Sequence, residues 1–159
     1  MRLWAAPLLA LASPAAAQEV PELALPVTPA CISSPFGARG GDTIGPHASD
    51  THSGIDLPAP PGAWVHAAAA GQVVAIGRRG ASGLAVQLRH AGGAVTVYAH
   101  LGTVAPALAS GRRRVAQGER LGRVGRTGVT YGTHLHFEIR LLGVAIDPAP
   151  HLPAAPCAP

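Results

Sequence analysis

The chain has 159 residues with a formal net charge of +4, enough for one domain with a real core and not for two. All twelve basic residues are arginines, so a prosthetic group attached through lysine is excluded. Only two Phe, two Trp and two Tyr are present, and no stripe of basic and aromatic side chains marks a nucleic-acid surface.

The first residues, "MRLWAAPLLALASPAAAQEV", have the pattern of a secretory signal over 1–17. Arg2 supplies the positive start, Leu3 to Ala12 the apolar stretch, and Ala15-Ala16-Ala17 the cleavage site. The stretch is short and holds Pro7, which argues against a membrane anchor. The first cysteine, Cys31, lies well beyond the cleavage point, which argues against a lipoprotein. Loss of Arg2 leaves eleven arginines against eight acidic residues, a net +3 that favours an anionic partner such as cell wall or nucleic acid. Arg112-Arg113-Arg114 reads as a solvated turn.

Residues 18–30 are proline-rich without a period and read as an extended arm. Residues 31–150 read as the folded domain and 151–159 as a similar proline-rich tail. Short strand-like runs separated by glycine turns follow: "AWVHA", "QVVAI", "LAVQLRH", "AVTVYAH", "ERLGRVG", "HLHFEIRL" and "VAI". No long segment has helical periodicity, so an all-β domain is expected. A faint internal repeat relates "WVHAAAAGQVV" to "RVAQGERLGRVG". The two cysteines, Cys31 and Cys157, form an even pair, which in an exported chain favours a disulfide.

The clearest hairpin is "LAVQLRHAGGAVTVYAH". A two-residue Gly92-Gly93 turn pairs Leu88 with Val97 and Val86 with Ala99. That register puts Val86, Leu88, Val95 and Val97 on an apolar face, with His90 there as a structural residue. Gln87, Arg89, Thr96, Tyr98 and His100 fall on the polar face.

Near the end of the chain, "GTHLHFEIR" sends Leu135, Phe137 and Ile139 to one side of a strand and His134, His136 and Glu138 to the other. The two imidazoles are separated by roughly 7 Å of rise, close enough to act on one bound species. A second cluster, "HSGID", brings His52 and Asp56 four residues apart around Gly54. A catalytic zinc takes three N or O ligands and keeps one position open. Spacing alone leaves the ligand set open, since both histidines of an H-x-H pair can bind metal.

The ordered set "SSPFGAR", "HSGIDLPAP", "AAAAGQVV", "VTVYAHL", "GRVGRTG" and "GTHLHFEIR" resembles the LytM/lysostaphin-type zinc peptidases, over about residues 33–148. These are peptidoglycan endopeptidases, and the resemblance implies their fold: a single antiparallel β-sandwich or roll of the duplicated-hybrid-motif type with little or no helix. By the same resemblance His52, Asp56 and His136 match the zinc ligands, with one Zn2+ per chain. His100 and His134 match the two catalytic histidines, and which of them is the general base stays open. One carboxylate and two neutral imidazoles leave a +1 site. There zinc lowers the pKa of bound water from 15.7 to about 7, and the two histidines take its proton, orient it and stabilise the tetrahedral intermediate.

Tyr98 and Thr133 are expected in the substrate groove, Tyr98 as an oxyanion donor or simple lining. "TGVTYGTHLHFE", with Tyr131 before the glycine, and "SGLAVQLRH" depart from the family pattern in turns that shape the groove. His47, His66 and His151 read as loop or surface residues, with His47 near enough to His52 to line the site. The expectation is an exported, monomeric zinc peptidase in the periplasm of a Gram-negative bacterium, acting on D-alanyl to meso-diaminopimelate cross-links. The alternative is a non-catalytic wall-binding regulator of amidases. Such members lack some of these five positions, whereas all five are present here.

Overall fold

The computed structural model describes residues 19–39 and 50–158; the expected leader and His47 lie outside them. Eleven strands are named: β1 (Gly37–Ala38), β2 (Thr51–His52), β3 (Ile55–Pro58), β4 (Trp64–His66), β5 (Gly71–Arg78), β6 (Leu84–Arg89), β7 (Val95–Val104), β8 (Arg114–Val115), β9 (Arg120–Val124), β10 (His134–Leu141) and β11 (Val144–Ile146). Among the described residues the only α-helix is the single turn α1 (Pro106–Ala109), and no helix is long and apolar enough to cross a membrane.

β1 and β2 form a small ribbon. The other nine strands form one sheet, with the path β11-β10-β7-β6-β5-β8 and with β3 on β10, β9 on β7 and β4 on β9. Every pair of named strands is antiparallel, as the family resemblance implied. All seven strand-like runs form strands, and β1, β2, β3 and β8 lie outside those runs. The half-repeats pair with each other, β4 with β9 and β5 with β8.

Ile55, Leu57, Val65, Val86, Leu88, Leu101, Leu121, Leu135, Phe137 and Ile139 are fully buried in one core. Removing such side chains from water, at roughly 25 cal/mol per Å² of apolar surface, is the main driving force for this arrangement. Residues of the N-terminal arm join that core: Leu23 and Val27 are buried, and the arm is tied down by Ala24 N to Ala68 O and His66 N to Pro26 O, each 2.8 Å. At the other end Ile32 pairs with the tail and Cys31 is disulfide-bonded to Cys157, 126 residues away. Closing so long a loop stabilises by up to about 5 kcal/mol on the chain-entropy argument.

The β6–β7 hairpin corrects the expected register. Its loop holds three residues, Ala91 to Gly93, closed by His90 N to Ala94 O at 2.9 Å. Leu88 therefore pairs with Thr96, Gln87 with Val97 and Val86 with Tyr98. One extra loop residue moves every β7 side chain to the other face. Thr96 and Tyr98 face the core, while Val97 joins Ala85 and Ala99 in a small buried cluster on the opposite face. The inward polar groups are satisfied as a chain. His90 Nδ1 donates to Ala70 O at 2.8 Å, and burial holds the ring neutral, pushing its pKa down against the Ala70 bond. Nε2 must then accept from Thr96 Oγ1 at 2.8 Å. His90 is structural, as expected. His66 is half-buried in β4 rather than a loop residue, because it stands opposite Arg120 in the β4–β9 pair; His151 is exposed.

Candidate metal centre

β10 places the site. His136 stands opposite Asp56 on one side and Ala99 on the other, so alternation puts Asp56 and His136 on the face away from the core, with Ile55, Leu57 and Phe137 turned inward. His52 ends β2 and reaches the same point across the Ser53-Gly54 turn. A Cβ at Gly54 would lie 2.2 Å from the Phe137 carbonyl oxygen, so only glycine lets the turn approach β10 this closely.

Three atoms converge. His52 Nε2 lies 3.1 Å from Asp56 Oδ1 and 3.0 Å from His136 Nδ1, and His136 Nδ1 is 3.0 Å from Asp56 Oδ1. His52 Nδ1 donates to Pro35 O at 2.8 Å, which leaves the Nε2 lone pair facing the other two atoms. Corner spacings of this size suit a cation with ligands at about 2 Å, and these are the donors zinc prefers. The residues fit the metal that the resemblance implies, and the same three form a group whose ligand atoms all lie within 4.8 Å of one another. Burial works against ionisation of Asp56, yet the imidazoles of His136, His52 and His134 close around it hold its carboxyl well below the usual carboxylate range. Arg39 Nη2 reaches the other oxygen, Oδ2, at 3.3 Å.

Two further imidazoles flank this point. The His100 ring centroid is 4.9 Å from that of His134 and 5.7 Å from that of His136. His100 Nδ1 donates to Thr127 O at 2.8 Å, so its Nε2 carries the lone pair. Burial brings the His100 pKa down to about 4, against the Thr127 bond. Burial also lowers that of His134, whose Nε2 is 3.4 Å from Asp56 Oδ1. Both rings are neutral at neutral pH and able to accept a proton.

A family model described as peptidase family M23 matches residues 50–148, the stretch that holds His52, Asp56, His100, His134 and His136. The chain belongs to peptidase family M23. It is 44% identical over 117 residues to DD-carboxypeptidase/endopeptidase Mpg of Neisseria meningitidis, covering 74% of this chain and 26% of that protein. Over 97 residues it is 35% identical to peptidoglycan DD-endopeptidase ShyC of Vibrio cholerae, covering 61% of this chain and 22% of that one. The chain thus spans about a quarter of the length of these relatives. Among solved structures, a zinc-containing peptidase from Vibrio cholerae superposes with a TM-score of 0.65 at 27% identity, over 77% of this chain and 37% of that one.

In this M23 domain the five sequence-selected residues meet on one sheet face, and the groove residues divide. Thr133 is half-buried just before His134. Tyr98 is corrected: it is fully buried, packed edge-on against Phe137 at 5.3 Å, and its hydroxyl accepts from Ala68 N at 2.9 Å. Sequence reasoning assigned no work to Glu138, which lies 3.0 Å from His136 Nε2. The available signal was its place as third polar residue in the alternation H-x-H-x-E. Burial opposes its charge, but hydrogen bonds from His136, Arg140 and Ser53 bring its pKa down to about 2. Thr127, Thr130 and Arg39, which touch His100, His134 and Asp56, carried no such signal.

Proposed function

We propose that this M23 peptidase domain is an exported zinc metalloendopeptidase that hydrolyses peptide cross-links of peptidoglycan, specifically D-alanyl to meso-diaminopimelate bonds in a Gram-negative periplasm. The observation that carries the reading is the convergence of His52 Nε2, Asp56 Oδ1 and His136 Nδ1, with neutral His100 and His134 beside them. The similarity to Mpg and ShyC, whose names state DD-endopeptidase activity for those proteins, supports the bond type.

His52, Asp56 and His136 would hold the ion. A zinc ion bound there would supply Lewis acidity for hydrolysis. His100 Nε2 is free to take a proton, because Nδ1 is committed to Thr127 O. His134 sits against Asp56, so that a proton gained there is stabilised by the carboxylate. The two rings together provide one proton acceptor and one donor on either side of a developing tetrahedral centre.

The test is digestion of purified sacculi with and without a chelator, with released muropeptides identified by mass. Zinc-dependent conversion of cross-linked dimers to monomers is expected. Release of free D-alanine alone would mean a carboxypeptidase, and separation of glycan from peptide an amidase. Binding to sacculi with no product would mean a non-catalytic regulator.

A further inference from the structure

Glu138 is a buried acid, 2% exposed, and a charge so placed is costly unless fully matched. Its partners match it completely. Oε1 accepts from Ser53 Oγ at 2.6 Å and lies 3.0 Å from His136 Nε2; Oε2 accepts from Arg140 Nε at 2.7 Å and is 2.7 Å from Arg140 Nη2. Arg140 reaches in from the more exposed side, with 39% of its side chain accessible. Ser53 belongs to the turn between His52 and Asp56.

We infer that Glu138 is a positioning residue that selects the metal-facing nitrogen of His136. A carboxylate only accepts hydrogen bonds, so it requires the proton on His136 Nε2 and leaves the lone pair on Nδ1. That lone pair points at the spot shared by His52 Nε2 and Asp56 Oδ1. Through Ser53 the same carboxylate pins the turn that carries His52, so one buried charge holds two ligands in register. The role rests on the zinc reading above.

Glutamine at this position cannot reproduce the arrangement. Four donor groups converge on the two oxygens, and an amide brings two N–H groups of its own. Either its NH2 faces Arg140, donor against donor, or it faces His136 Nε2 and favours the proton on Nδ1, blocking the ligand lone pair. Glu138→Gln should therefore weaken zinc binding by about 10–100-fold, measured by competition with a chromophoric chelator. In the zinc-loaded wild-type chain, long-range proton–nitrogen NMR should show a slowly exchanging, downfield His136 Nε2–H that moves upfield in the variant. A merely structural acid would lower stability without moving that resonance. If Glu138→Gln does not fold, Arg140→Gln keeps the carboxylate and removes its outer donors, which should shift the same resonance further downfield. Zinc affinity within twofold of wild type, coordination of His136 through Nε2, or an unmoved resonance in both variants would overturn the inference. Failure of the wild-type chain to bind zinc at all would instead overturn the metal reading, and this role with it.

Discussion

His100 meets His134 edge to face, ring centroids 4.9 Å apart, because β7 carries one residue more than β6 at that point. Val86 pairs with Tyr98 and Leu84 with Leu101, so Ala99 and His100 both oppose Ala85. Simple alternation from Tyr98 would send His100 into the core. The bulge, with His100 held at φ 59°, turns its ring out to the metal side instead, a common use of bulges beside functional sites. Histidine is among the few non-glycine types that tolerate that backbone region.

The proposed division of labour among the five residues gives the first prediction. His52→Ala, Asp56→Ala and His136→Ala should each lose bound zinc, since a three-ligand site cannot spare one. His100→Ala and His134→Ala should keep stoichiometric zinc and lose about 10²–10⁴-fold in turnover of muropeptide dimers. Metal analysis of the purified variants separates the two groups, and full zinc in Asp56→Ala would remove it from the ligand set.

Gly54 is where the backbone itself decides the site. An added methyl would sit 2.2 Å from the Phe137 carbonyl oxygen and 2.9 Å from its carbon, both main-chain atoms that cannot swing aside. Gly54→Ala should displace the His52–Asp56 turn from β10, lower zinc affinity, and cost about 1–3 kcal/mol from overpacking. Calorimetric zinc titration together with urea unfolding would check this; wild-type affinity would show that the turn adapts.

Tyr98 belongs to the core, so its removal should be felt there. Tyr98→Phe deprives Ala68 N of its acceptor and Thr96 of a partner, and should destabilise the domain by about 1–3 kcal/mol. Turnover at temperatures where the variant stays folded should be unchanged. A loss of turnover at full stability would return Tyr98 to the groove.

His90 makes stability depend on pH. Burial holds its folded pKa below the ordinary 6.5, so below that pH the unfolded chain takes up a proton that the folded chain refuses. The stabilisation is complete above 6.5 and is lost as pH falls toward the folded pKa, at up to about 1.4 kcal/mol per pH unit. His90→Gln should flatten that part of the profile while His100 and His134 act equally in both proteins. Parallel pH profiles for wild type and variant in urea unfolding would refute the contribution.

What the sequence determined was local and periodic. Leu135, Phe137 and Ile139 against His134, His136 and Glu138 follow from the alternation of a strand, and the first three are fully buried. The pairing of His52 with Asp56 around a glycine and the all-β class depend on residue type and short spacing, while the Cys31–Cys157 bridge, 126 residues apart, was legible because the sequence holds just these two cysteines. The tertiary structure decided what depends on counting across strands. One additional loop residue after His90 reversed the faces of Thr96 and Tyr98, and a bulge opposite Ala85 then restored His100 to the metal side. Neither leaves a mark in the hydrophobic pattern, because "AVTVYAH" is compatible with both registers. The choice is made by partners remote in sequence, Ala68 and Ala70 for the buried polar groups and Thr127 for His100, whose hydrogen bonds are satisfied in only one of the two pairings.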